Sequence, residues 1–410
     1  MTSTKPIHLS KSVVMQAYKL VKSNAGAAGV DQQTLDDFDL KLGKNLYKIW
    51  NRLSSGSYFP PAVKQVGIPK KSGGTRYLGI PTVSDRIAQM SIKLLVEPLF
   101  HADSYGYRPN KSALQAVEVT RRRCWQYDWL VEFDIKGAFD NIDHELLLKA
   151  VRKHTPERWQ VMYIERWLTA PTETSEGLID RTCGTPQGGV ISPLLMNLFM
   201  HYTFDCWMDR HFKELPFARY ADDGVVHCRT RVEAETLMMA LADRLEECGL
   251  QMHPEKSKIV YCKVDSRRED AEHTQFTFLG FTFRARAAVR KDGSTFTGFL
   301  PAVSAEACKA MRSRIRSWHL HRWTSVSLSR LLAAHRRVLS GWLNYYGRFY
   351  RSALSTVFNY YYHRLLTWVR RKYKRFRGRI VVCQQWLEKV HAANPRLFVG
   401  GDAFCIPGFR

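Results

Sequence analysis

Two neighbouring carboxylates, Asp222 and Asp223, lie in Ala218-Arg219-Tyr220-Ala221-Asp222-Asp223-Gly224-Val225-Val226, with apolar runs at Leu215–Tyr220 and Val225–Val226 on either side. That order reads as a β-hairpin carrying the acids on an exposed turn. Adjacent carboxylates repel unless a cation stands by them. In a strongly basic protein, a hard divalent ion between the acids and an anionic substrate is the chemistry to look for. Taken alone, an Asp-Asp pair is more often a solvated turn. Other residues bear on the choice. Asp134 ends the β-type run Trp129-Leu130-Val131-Glu132-Phe133 and is followed by a Gly-containing turn and Phe139. A basic turn from Lys70 to Arg76 offers Lys70, Lys71 and Arg76 at the tip of a hairpin, suited to a triphosphate or merely solvated. In Pro186-Gln187-Gly188-Gly189 two adjacent glycines let backbone approach a ligand closely. Lys256 sits in the polar turn His253–Lys258.

The elements around these groups alternate between the two regular periods. Strand alternation covers Val63–Pro69 and Tyr77–Pro81, and helical spacing covers residues 10–24, Leu35–Leu53, Asp85–Leu99 and Ser112–Trp125. Asp143 is a plausible cap for helical sequence continuing to about Thr169, and further helices are expected through Trp207 and over Val232–Cys248. Phe276–Phe283 alternates aromatic with small polar residues, as in a strand or tight hairpin. Composition then changes. From Pro301 to Ile380 eighteen Lys or Arg face a single acid, Glu306, on helical runs rich in Trp and Tyr. Cations of such a module can grip phosphates, while at least half of its rings are expected to pack between helices.

A chain of 410 residues is long enough for two or three domains with real cores. Its formal net charge of +24 points to a polyanionic partner, nucleic acid first and an anionic membrane surface second. No apolar run approaches the roughly 18 residues of a membrane span, and the first residues lack a signal-peptide core, so no membrane partner is expected. The nine cysteines are scattered without a CxxC pair, which argues against structural zinc and for reduced cytosolic thiols.

Together these stretches resemble the bacterial group II intron-encoded reverse transcriptases, the maturase family, from Gly29-Val30-Asp31 to about Lys374. The resemblance implies an α+β right-hand polymerase followed by an all-helical thumb or X domain. Residues 1–110 would be an N-terminal extension and fingers, 111–290 the palm with remaining fingers elements, 291–380 the thumb, and 381–410 a short tail. Asp134, Asp222 and Asp223 match the family's catalytic carboxylates, which hold two Mg²⁺ ions, with Mn²⁺ as a possible substitute. Lys70, Arg76, Phe139 and Gln187 match the dNTP contacts, Phe139 being the ring that excludes a ribose 2′-hydroxyl. Lys256 could be the general acid for pyrophosphate, or an ordinary turn lysine. Phe278-Leu279-Gly280 looks like the primer-grip strand. Gly341-Trp342-Leu343-Asn344-Tyr345-Tyr346 resembles the X-domain signature, and Arg370, Arg371, Lys372, Lys374 and Arg375 would bind RNA.

The implied activity is RNA-directed DNA synthesis coupled to splicing and mobility of a group II intron. Its implied partners are intron RNA, an RNA template with DNA primer, dNTPs and target DNA, in the cytoplasm of a bacterium or at its nucleoid. Larger members continue into a DNA-binding segment and an endonuclease; this sequence looks like the short kind that takes its primer from elsewhere. Two other readings stand beside this one: a domesticated reverse transcriptase in repair, spacer acquisition or defence, and an RNA-binding splicing cofactor only. Intact Asp134, Asp222, Asp223 and Phe139 argue against the last.

Overall fold

The computed structural model describes residues 5–69, 73–96, 100–267, 269–290 and 292–399. They form an α+β fold in two compact units. One is built from the chain up to Ser112 with Val131–Val226 and Arg231–Lys258; the other comprises Ala113–Leu130, His227–Thr230 and the chain from Ile259 onward. In chain order the strands are β1 Val63–Pro69, β2 Thr75–Ile80, β3 Trp129–Phe133, β4 Thr172–Thr174, β5 Gly177–Ile179 and β6 Phe217–Tyr220. There follow β7 Asp223–Cys228, β8 Lys258–Tyr261, β9 Gln275–Phe278, β10 Phe281–Val289 and β11 Thr295–Val303.

The first unit opens with helix Lys11–Asn24, whose first turn is capped by the Ser10 hydroxyl. A single helix expected over Leu35–Leu53 is in fact two, Leu35–Asp39 and Leu42–Ser54. Asp39 is drawn aside by the Tyr18 hydroxyl and the Lys22 ammonium, each at 2.6 Å, and Lys41 leaves helical geometry at φ −129°. Strands β1 and β2 pair antiparallel from Lys64↔Ile80 to Pro69↔Thr75, and the sheet order is β2-β1-β4-β5.

The sheet that carries the acids has the order β6-β7-β3-β8. All five residues of β3 are buried, so it reads as one continuous run rather than an alternation. Helix Ser192–Met200 is mostly apolar, with Ser192 and Asn197 its polar residues, and is buried apart from Pro193. It does not run straight to Trp207. Residues His201–Asp205 form a π-helical turn, in which the Cys206 amide donates to the His201 carbonyl five residues back, before helix Cys206–His211 resumes.

In the second unit β9 and β10 form the hairpin expected near Phe276–Phe283. Strand β11, which the sequence reading did not anticipate, pairs with β10 from Phe281↔Val303 to Val289↔Thr295. Helices Ala305–Ser317, Leu328–Tyr346, Ser355–Lys372 and Ile380–Ala393 follow. Of Trp318, Trp323, Trp342, Tyr345, Tyr346, Phe349, Tyr350, Tyr360, Tyr361, Tyr362 and Trp368 on these runs, Tyr361, Tyr362 and Trp368 lie inside their core and Trp318, Trp342, Tyr346 and Tyr360 pack on it. Among the described residues no helix is long and apolar enough to cross a membrane, and all eight described cysteines are free thiols.

Candidate active site

The β6–β7 hairpin ends in the pairing Tyr220↔Asp223, so Ala221 and Asp222 form its turn and Asp223 opens the returning strand. Both acids are half-buried rather than exposed as the sequence reading had it. Gly106 explains part of this: a Cβ there would stand 2.5 Å from the Ala221 nitrogen, so only glycine lets that segment cover the turn. Asp134 follows β3 directly. It is fastened to the polar turn after Met252: the His253 amide donates to its carbonyl at 2.8 Å, and its own amide donates to the Ser257 hydroxyl at 3.2 Å. The same turn delivers Lys256, whose ammonium donates to Asp134 Oδ2 at 2.7 Å with the side chain 61% exposed.

Burial and mutual repulsion set the electrostatics. Burial pushes the Asp222 carboxyl above its ordinary range, and Asp134 adds to this, against Arg76 and Lys256. Asp223 goes well above that range, through burial first and then Glu132, Asp134 and Asp222. Glu132, buried on β3 and 3.3 Å from the Lys258 ammonium, was missed by the sequence reading. Its signal was present: in a run reading as a fully buried strand, one acid adjacent to Asp134 needs a reason.

As placed, no trio of His, Cys, Asp or Glu stands at ligand spacing among the described residues. The donor chemistry nevertheless fits a hard divalent cation. The side chains are carboxylates, they crowd one another enough to resist ionisation, and the cations beside them offset only part of that repulsion.

The nucleotide-side residues come together in the same unit. Arg76 on β2 donates through Nε to Gln187 Oε1 at 2.6 Å, and Gln187 Nε2 donates to Asp140 Oδ2 at 2.8 Å. The loop bearing Gln187 is pinned by two backbone bonds: Gly79 donates to the Gln187 carbonyl at 2.7 Å, and Thr185 to the Phe139 carbonyl at 2.7 Å. Phe139 is half-buried in the short helix Ala138–Asn141, beside Asp140. Asp140 is a second member of this cluster that sequence reasoning passed over. Lys70 and Lys71 lie outside the described residues.

Behind the acid turn is a polar network with no precedent in the sequence reading. Arg219 and Asp205 are both fully buried, joined by two bonds of 2.7 Å from Nε and Nη2. The other guanidinium contacts run from Nη2 to Ser104 Oγ at 3.0 Å, and from Nη1 to Asn197 Oδ1 at 3.3 Å and the Ala221 carbonyl at 2.8 Å. Burial alone would raise the Asp205 pKa, but the Arg219 charge and hydrogen bonds outweigh it and hold the carboxyl below its usual range. Ala221 is in the left-handed region at φ 59°, and the bond from Arg219 grips it there, one residue before Asp222.

In the second unit Phe278-Leu279-Gly280 is not all strand. Phe278 ends β9, and Leu279 and Gly280 form a two-residue turn with φ 52° and 80°. Their left-handed angles match the turn type that suits the twist of a tight hairpin. The helix holding the expected X-domain signature grips this turn: the Tyr345 hydroxyl donates to the Leu279 carbonyl at 3.0 Å, and Phe281 packs on Tyr345 and Tyr346. Of the expected RNA contacts, Arg371, Lys374 and Arg375 are exposed and Arg370 is half-buried. Lys372 has a structural task, donating to the carbonyls of Thr324 and Val326, each at 2.7 Å.

A carboxylate pair on a hairpin turn, a third at the end of a neighbouring strand, and a cation–amide–acid cluster beside them define the α+β fold of a nucleotide-polymerising domain, followed here by helices. Residues 68–283 match the reverse transcriptases (RNA-dependent DNA polymerases), and residues 308–386 match the group II intron maturase-specific domain. The chain belongs to the reverse transcriptase family. Among its relatives, the group II intron-encoded protein LtrA of Lactococcus lactis is 34% identical over 200 residues, covering 47% of this chain and 33% of LtrA. Protein YkfC of Escherichia coli K12 is 34% identical over 209 residues, 48% of this chain and 54% of that one. A putative COX1/OXI3 intron 1 protein of Saccharomyces cerevisiae is 26% identical over 253 residues, 60% of this chain and 29% of the yeast protein. The matches thus span from about a third to about half of these curated relatives.

Proposed function

We propose that the chain is an RNA-directed DNA polymerase that extends a primer 3′-hydroxyl with dNTPs on an RNA template, and that it binds a group II intron RNA and assists its splicing and mobility. The observation that carries the polymerase reading is the convergence, within one compact unit, of Asp134, Asp222 and Asp223 with the Arg76–Gln187–Asp140 chain and Phe139. Asp134, Asp222 and Asp223 would hold two Mg²⁺ ions, which when bound supply charge neutralisation at the attacked phosphate and the leaving pyrophosphate. Arg76 neutralises a triphosphate oxygen, and Gln187 lies beside the new base pair. Lys256 is the general acid for pyrophosphate; in support, its ammonium already sits on a site carboxylate and its side chain is mostly exposed. We read 1–110 as extension and fingers, 111–290 as palm with the other fingers elements, 291–380 as thumb and 381–410 as tail. The Leu279–Gly280 turn would hold the primer, and Arg370, Arg371, Lys374 and Arg375 the RNA backbone. Free thiols and dNTP substrates fit a bacterial cytoplasm.

Primer extension on an RNA template with Mg²⁺ and either dNTPs or rNTPs tests this reading. The expected result is extension with dNTPs only, lost in Asp222→Ala while RNA binding stays near normal. RNA binding without extension would move the assignment to a splicing cofactor.

The Phe139 ring is assigned to exclude a ribose 2′-hydroxyl. Phe139→Ala should raise incorporation of rNTPs relative to dNTPs by roughly tenfold or more, as expected when a steric discrimination worth a kcal/mol or two is removed. Competition between the two substrates in single-nucleotide extension measures it, and unchanged sugar selectivity would remove the role.

A further inference from the structure

A cavity of about 410 Å³ opens in the first unit, walled by helix His144–His154, the π-helical turn with helix Cys206–His211, and the end of helix Arg231–Glu247. It shares no residue with the site described above. Its walls are apolar and aromatic, including Phe199, Tyr202 and Trp207, and they carry Lys149, Lys153, Arg210, His211 and Arg244. No carboxylate lines it among the described residues. Three acids stand close behind the wall: Glu247 pairs with Arg244 at 3.0 Å, and Asp205 and Asp209 act on Cys206.

The π-helical turn gives the cavity its shape. An i→i+5 turn leaves carbonyls without their usual helical donors, and Arg244 takes up two of them, Thr203 at 3.1 Å and Tyr202 at 3.3 Å. That anchors the backbone beneath the Tyr202 ring. The ring is fixed further by the bond between its hydroxyl and His154 Nε2 at 2.8 Å, and the Lys153 ammonium lies 5.0 Å from its centroid. Trp207 stands on the next helix, braced by His211 and Phe212. The arrangement is a preformed slot with flat rings inside and cations at the wall.

A purely apolar occupant would give Lys149, Lys153 and Arg210 no anionic partner, and a simple anion would leave the rings without a use. An aromatic anion uses both. We propose that this cavity holds one unpaired nucleotide of a single-stranded nucleic acid, its base against Trp207 and Tyr202 and its flanking phosphates on Lys149, Lys153 and Arg210. The volume suits a group of this size, and a chain with a net charge of +24 draws such strands to its surface. The site acts as an anchor for template or partner RNA away from the point of synthesis.

The test is photo-cross-linking of the full chain to short single-stranded oligonucleotides carrying one 4-thiouridine or 4-thiothymidine, with mass-spectrometric mapping of the attached peptide. RNA and DNA oligonucleotides run in parallel tell which strand supplies the nucleotide. Attachment within residues 199–211 is expected. It should fall at least tenfold in the surface pair Lys149→Glu/Lys153→Glu, which leaves the rings and the catalytic groups intact and should extend a short primer–template at the normal rate. Trp207→Ala should weaken binding of the same oligonucleotide roughly tenfold, the effect of losing one stacking partner. Mapping the peptide keeps this readout separate from binding elsewhere on the basic surface. Attachment confined to other peptides, or cross-linking at 199–211 unaffected by both variants, would overturn the proposal.

Discussion

Asp223→Asn should abolish DNA synthesis and, in the absence of divalent ions, make the protein more stable. The two effects share one cause. Asp223 is held well above the ordinary carboxylate range by burial and by Glu132, Asp134 and Asp222. A group whose folded pKa exceeds its unfolded value of about 3.9 binds a proton more tightly in the native state, so stability falls as pH rises between those two values. Asparagine keeps the shape and escapes the repulsion. Melted in EDTA at pH 8, the variant should have the higher Tm, each kcal/mol of relieved repulsion being worth about 2–4 °C in a unit of this size. The gap should close as the pH falls below about 3.9, where the wild-type carboxyl becomes neutral in both states. Adding Mg²⁺ should reverse the order, because an ion bound only by the folded carboxylates stabilises the wild type by mass action. Extension should fall by about 10³-fold or more, the scale on which preorganised transition-state electrostatics act. A variant that melts below wild type in EDTA at pH 8, or that still extends primers, would sink this assignment of Asp223.

The acids were legible because a hairpin announces itself locally: two apolar runs around a polar turn need no knowledge of distant residues. Much of the fold was legible for the same reason, from β1 at Val63–Pro69 to the Asp143 cap, whose side chain accepts from the Leu146 amide at 2.7 Å. What escaped was set by tertiary contact. The hydroxyl and ammonium of the first helix, not helix propensity, split Leu35–Leu53 by drawing Asp39 aside. No periodicity marks the π-helical turn at His201–Asp205, since a one-residue slip in backbone hydrogen bonding leaves no pattern in the residue types. Strand β11 carries mixed polar residues because part of it faces solvent, and its pairing with β10 supplies the order that its pattern does not. Arg219 was hidden by its type: an arginine next to Tyr-Ala-Asp-Asp reads as a surface cation, and only the fully buried Asp205 shows otherwise. The anchor for that acid lies in the element where the helical register slips.

That pair gives the other large expected effect. Arg219→Met strands a buried Asp205 carboxylate and should cost about 3–5 kcal/mol, enough to lower expression and Tm sharply. The informative variant is the double substitution Arg219→Met/Asp205→Leu, which replaces both charges by apolar groups. Because the desolvation of two ions disappears along with their attraction, the double variant should regain most of the lost stability. Activity should not follow. The donor on the Ala221 carbonyl is gone, and a non-glycine residue in the left-handed region, strained by about 1–2 kcal/mol, then has less to hold it one residue before Asp222. A displacement of the acids by a fraction of an ångström to an ångström should lower kcat by about 10²-fold, with the KM for dNTP nearly unchanged because the Arg76–Gln187 side is untouched. Acid sensitivity supplies an independent check. The Asp205 carboxyl is depressed in the fold, so its contribution is present above about pH 3.9 and lost as pH falls through the folded value; the double variant lacks that loss. A double variant as active as wild type would show that Arg219 only fills and neutralises the core, and that the acid turn is positioned by Gly106 and the strands alone.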